Sequence, residues 1–204
     1  MKKQVTGWII TGLLCFVGCV PSLHELYTDD TVVYDPAILG DWQQDDATWS
    51  ISGDPNAKSY RIVIIERDEK RGKLESKLDG RLVELDGKRY LDVFPDKDVA
   101  LNVGNWFQAG LLRAHLFFKQ EFKDGTMLLS VMDPDAFKKM VEQKPDIVKH
   151  EKTEDTIVLT ASPRELQAFM KKYGGAEGFF GKPIELKPKI IKMETDESDD
   201  TATD

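Results

Sequence analysis

Between Leu39 and Met132 the chain runs in short stretches where apolar and polar residues alternate, and turn-forming residues separate the stretches. A period of two is that of a strand with one face buried. Tyr60, Ile62 and Ile64 fall on one face of a strand predicted from Ser59 to Glu66. Trp49 and Ile51 alternate with Thr48, Ser50 and Ser52 ahead of the turn Gly53-Asp54-Pro55-Asn56. Asp68 to Gly72 reads as a charged loop and Lys73 to Asp79 as the returning strand. Asp79-Gly80 and Asp86-Gly87 are the strongest short hairpin signals; they bracket Arg81 to Leu85 and lead into Tyr90 to Phe94. After a break at Pro95-Asp96-Lys97-Asp98, the stretch Leu101 to Leu112, with Trp106, Phe107 and Gly110, fits a helical turn or an aromatic loop. Lys123-Asp124-Gly125 then joins Ala114 to Phe122 with Thr126 to Met132.

The pattern changes after Met132. Asp133 followed by Pro134 is a helix start, with Phe137, Met140 and Val141 at helical spacing until Lys144-Pro145 stops it. Ser162 and Glu165 have the spacing of a capping box, Leu166, Phe169, Met170 and Tyr173 form one stripe, and Gly174-Gly175 ends it. Ile157 to Thr160 reads as a short strand between the helices. Each helix has one face to bury, and the sheet is the surface available. The expected fold is α+β: an antiparallel meander of seven or eight strands, an open sheet or partial barrel, with two late helices packed on it.

Of the 204 residues, 41% are hydrophobic and 31% charged, which suits one globular domain with a real core. The two cysteines are Cys15 and Cys19, so no disulfide is available to the domain. The first residues differ in kind from the rest. Lys2 and Lys3 precede an apolar run through Trp8, Ile9, Ile10, Leu13, Leu14, Cys15, Phe16 and Val17. At about 1.5 Å per residue this run is shorter than a bilayer-spanning helix, and it has the layout of an export signal. The expected organisation is a signal peptide at 1–18, an anchor and tether at 19–38, the globular domain at 39–192 and a disordered tail at 193–204. Glu194 to Asp204 holds six acids and no base.

Phe16-Val17-Gly18-Cys19 resembles the bacterial lipobox, whose cysteine is lipidated before the signal is cleaved. That resemblance implies a lipid (diacyl or triacyl, palmitate among the chains) on Cys19, and two or more chains anchor stably. Val20 stands where Asp would retain a lipoprotein at the inner membrane. The implied address is therefore the cell envelope, at the outer membrane and facing the periplasm. Pro21-Ser22-Leu23, Leu26-Tyr27-Thr28 and Gly40-Asp41-Trp42, with Leu91-Asp92-Val93 and Met132-Asp133-Pro134-Asp135, are similar to an uncharacterised group of bacterial lipoproteins. No activity follows from that likeness.

Several chemistries are disfavoured by the residues. A net charge of −8 without a clustered basic patch argues against nucleic acid. His24, His115 and His150 are scattered without ligand spacing, so no metal or other cofactor is expected. His115 alternates with apolar neighbours and reads as a core or cleft histidine; His150, among charges, reads as solvated. No nucleophile elbow is present, and Gly174-Gly175-Ala176-Glu177-Gly178 follows a helix, the wrong side for cradling an anion. Asp45-Asp46 suits a turn, and Asp133 with Asp135 suits a helix N-terminus.

Gly40-Asp41-Trp42 resembles the Gly-x-Trp mark of lipocalin-type barrels, where the Trp closes one barrel end. The function expected is a membrane-anchored, non-catalytic binding or interaction domain, with an envelope protein or hydrophobic ligand as partner. The alternative is a lipocalin-like carrier with Trp42, Trp49 and Trp106 as pocket aromatics.

Overall fold

The computed structural model describes residues 19–99, 104–153 and 156–189. The expected signal peptide and acidic tail lie outside the described residues. The elements in order are β1 (Val32–Val33), β2 (Gly40–Gln44), β3 (Ala47–Asp54), β4 (Ser59–Asp68), β5 (Gly72–Leu85) and β6 (Lys88–Pro95). Then come α1 (Asn105–Ala109), β7 (Leu116–Lys123), β8 (Thr126–Val131), α2 (Pro134–Gln143), β9 (His150–Lys152), β10 (Ile157–Leu159), α3 (Pro163–Tyr173) and β11 (Ile184–Pro188).

The sheet closes on itself. β2 to β8 pair in sequence as an antiparallel meander, and β11 then lies between β8 and β2, pairing Leu186 with Met127 and Pro188 with Trp42. The result is a ring of eight strands, with β1 added to β5 through Val32 and Val83. The expectation of an open sheet or partial barrel is corrected to a closed barrel. The strand that closes it is short and follows a helical insertion, so local alternation carries no sign of closure.

The turns follow from backbone chemistry. Asp86 and Asp124 have φ near +50° and each precedes a glycine, at φ +74° and +76°, as two-residue turns between twisted strands require. Asp79-Gly80 differs: it is no turn but the middle of β5. There Gly80 pairs with Tyr60 of β4 and Val93 of β6 at once. A Cβ on Gly80 would meet Ile62 Cδ1 at 3.2 Å and Leu91 Cδ1 at 3.5 Å. The glycine allows one long strand to serve two neighbours across a crowded interior.

Inward positions of the ring carry Trp42, Trp49, Ile51, Tyr60, Ile62, Leu82, Leu91, Phe118, Met127, Leu129 and Leu186, all buried. Large side chains from facing strands thus fill the barrel as a packed core. A 3-10 turn, Pro36–Ile38, closes one end. Asp35 caps it by accepting from Ala37 N, Ile38 is fully buried, and Trp42 Nε1 donates to Ile38 O at 3.0 Å. Arg89 pairs with Asp35 at the same end.

A second core lies outside the ring. Val83, Leu85, Tyr90 and Phe117 face outward from β5, β6 and β7 and meet Phe137 and Val141 of α2 and Leu166, Phe169 and Met170 of α3. Asp133 caps α2 by accepting from Ala136 N at 2.8 Å. At α3, Glu165 reaches back to accept from Ser162 N, also at 2.8 Å. Gly174 ends α3 against the barrel: a Cβ there would meet Met170 O and Tyr90 Oη at 2.6 Å each.

Candidate functional site

The segment 19–38, expected as a tether, is docked along much of its length. Val20 is buried in the outer core, one residue after Cys19. Ser22 exchanges backbone hydrogen bonds with His115 at 2.9 and 2.8 Å. On its other side, Leu23 N donates to Leu159 O and Leu159 N to Pro21 O. The segment therefore runs as an added strand between the start of β7 and the β9–β10 ribbon.

Further on, Leu26 is fully buried and both its backbone groups are held by side chains. Its N–H donates to Asp92 Oδ2 at 2.8 Å, and its carbonyl accepts from Gln167 Nε2 at 2.9 Å. Gln167 also reaches Thr28 Oγ1 at 2.9 Å. A buried backbone group without a partner is costly, so Asp92 on β6 and Gln167 on α3 clamp the segment between barrel and helix.

Asp92 has a second partner. Its Oδ1 lies 2.8 Å from His115 Nδ1, and its side chain is only 1% exposed. Burial pushes the carboxyl above its ordinary value, opposed by the His115 hydrogen bond and charge and by Leu26 N–H. The imidazole sits on Phe94 with ring centroids 4.5 Å apart. With Nδ1 taken by Asp92, Nε2 is the ring nitrogen left for a ligand.

This pair forms the wall of an open cleft of about 380 Å³ on the outer barrel face. Tyr27, Arg81, Glu25 and Asp79 also line it, with the Arg81 guanidinium 5.8 Å from the centre of the Tyr27 ring. Burial foremost, then the Asp92 charge, raises the Tyr27 phenol. Ser59 lines the cleft too, and among the described residues no hydrogen bond joins it to His115. No group of three or more metal-ligating side chains occurs among the described residues. The arrangement can orient an imidazole and present both signs of charge to a polar group.

The three tryptophans do not form a common pocket. Trp42 and Trp49 are cross-strand partners inside the barrel, each 6% exposed, whereas Trp106 on α1 is 94% exposed. Of the histidines, His24 is exposed, and His150 is half-buried with Nδ1 2.9 Å from Val148 O. His150 borders a larger open cleft of about 810 Å³ between the stretch 144–151 and α3, lined by a mixture of charged and apolar side chains and with the Lys149–Glu165 pair exposed. Cys19 is half-buried, which raises its thiol. Asp45 and Asp46 form the β2–β3 turn, and Asp133 and Asp135 start α2.

Asp92 and Gln167 were missed by sequence reasoning. The signal for Asp92 was a charged residue inside the apolar run Tyr90 to Phe94; for Gln167 it was a polar residue beside the buried stripe of α3. Fold and cleft together define a closed eight-stranded antiparallel barrel with a helical insertion before its last strand and a side-chain-clamped N-terminal segment. No protein-family model, curated protein or solved structure matches this chain.

Proposed function

We propose that this protein is a membrane-anchored envelope lipoprotein, lipidated on Cys19, whose barrel is a non-catalytic binding or interaction domain. The observation that supports this reading is the docking of the chain immediately after Cys19. Val20 enters the core and Ser22 joins the sheet edges, so a lipid on Cys19 would hold the folded domain with no free linker. The cleft beside Asp92 and His115 is the surface offered for binding. Asp92 serves there as clamp and orienting group, since one carboxylate oxygen is committed to Leu26 N–H. No helix among the described residues is long and apolar enough to cross a membrane.

Metabolic labelling with a fatty-acid analogue tests the anchor. Wild type should take up label and Cys19→Ala should take up none, with the variant left unprocessed or released; equal labelling would overturn the reading.

The closed ring favours a second reading, a lipocalin-like carrier at an envelope address. Interior positions Leu78, Leu116, Val131 and Ile184, at the end away from the 3-10 turn, are only partly buried and would be the place for an apolar ligand. The filled interior beside the 3-10 turn speaks for the interaction domain. Native mass spectrometry of the purified protein separates the two, because a carrier would retain a lipid-sized adduct beyond the anchor.

A further inference from the structure

The most solvent-exposed apolar side chains of the described residues gather in one connection, between β6 and β7. Trp106 is 94% exposed, Leu112 75% and Leu111 45%. In sequence, the fourteen residues from Val99 to Leu112 contain no charge, in a chain of which 31% is charged. Scattered exposed leucines need no explanation, but a fully exposed Trp beside two leucines in an uncharged run does. Tryptophan favours the headgroup level of a bilayer, where its ring is apolar and its N–H stays hydrated.

The location of this connection gives the patch an occupant. Leu112 is three residues before His115, and His115 is hydrogen-bonded in both directions to Ser22, three residues after Cys19. Three residues span at most about 11 Å, and paired strands add about 5 Å. Leu112 therefore lies no more than about 27 Å from Cys19, along a path joined by the two Ser22–His115 backbone hydrogen bonds.

We infer that the described part of the β6–β7 connection, residues 104–112, docks on the membrane through Trp106, Leu111 and Leu112, which enter the headgroup region of the bilayer carrying the Cys19 lipid. The inference rests on the anchor reading. Lipid and loop are two contacts on one domain, and together they fix the barrel's orientation. Because the loop is uncharged and the protein acidic, docking is apolar and independent of anionic lipid.

The test uses the protein extracted from membranes and reconstituted into phosphatidylcholine vesicles, with brominated lipid as quencher inside the bilayer and iodide outside. Trp42 and Trp49 are buried, and subtraction of a Trp106→Phe sample isolates the Trp106 emission. The expected result is a shift to shorter wavelength, quenching by brominated lipid and protection from iodide, all retained in high salt. Leu111→Asp with Leu112→Asp, at surface positions that do not threaten the core, should lose the shift and the protection. Trp106 that stays open to iodide on vesicles overturns the inference, as does a blue shift that depends on protein concentration without lipid, which would assign the patch to a second copy. The mass of the same sample reports whether Cys19 carries lipid. If it does not, the anchor reading fails, and Trp106 shielding on added vesicles still decides the loop.

Discussion

At the scale of single residues, Trp42 shows how a short motif becomes architecture. Gly40 has φ of +116°, a conformation that L side chains rarely adopt, and it turns the chain from the 3-10 turn into β2. Two residues later Trp42 points inward, pairs across the sheet with Trp49 and donates to Ile38 O. Removing the ring leaves a cavity at the closed end and an unpaired carbonyl on the plug. Trp42→Ala should therefore cost about 3–5 kcal/mol in urea unfolding, a large share of the stability of a domain without disulfides. A variant as stable as wild type would show that the 3-10 turn, not the indole, closes the barrel. Gly40-Asp41-Trp42 was legible in the sequence because its role is local. Gly80 was not: Asp-Gly favours a turn by its own chemistry, and only the Ile62 and Leu91 side chains against it reveal why a strand runs through.

At the scale of elements, β3, β4, β6, β7, β8 and both long helices could be read because each carries its own periodicity or caps, whereas β1, β9 and β11 are too short to show one. The segment from Val20 to Thr31 could not, since a strand edge and two side-chain clamps impose its conformation rather than any repeat of its own. Asp92 is the clamp that can be tested cleanly. Asp92→Ala leaves Leu26 N–H and His115 Nδ1 without their acceptor and should cost roughly 1–3 kcal/mol. Asp92→Asn keeps one acceptor oxygen and removes the buried charge, so it should cost less. The pair also carries a pH signature. Burial raises the carboxyl, so the folded chain binds that proton more tightly than the unfolded one. Above the folded pKa the buried charge opposes folding, and this penalty is relieved as pH falls toward the unfolded value of about 3.9. Asn does not titrate. The stability difference between wild type and Asp92→Asn should thus move in favour of wild type on acidification through that window; a difference independent of pH would mean that Asp92 is not held above its ordinary value.

At the scale of the whole molecule, two cores share the β5–β6–β7 wall, one inside the ring and one beneath the helices. Closure could not be read from the sequence, because β11 returns to β2 from the far end of the chain after α2, α3 and the β9–β10 ribbon. The cleft was hidden for a related reason: Tyr27, Arg81, Asp92 and His115 come from four separate segments and share no motif. The N-terminal segment ties the ring, the ribbon and α3 together, and it starts at the residue proposed to carry the lipid. Under the proposed anchor, lipid and fold would meet at one point and the barrel would sit directly on the membrane surface. Mass spectrometry of the N-terminal peptide from the membrane fraction tests this most directly. The expected peptide starts at Cys19 and carries a diacylglyceryl group on its sulfur; a peptide that starts at Met1, or at an unmodified Cys19, would contradict the proposed anchor.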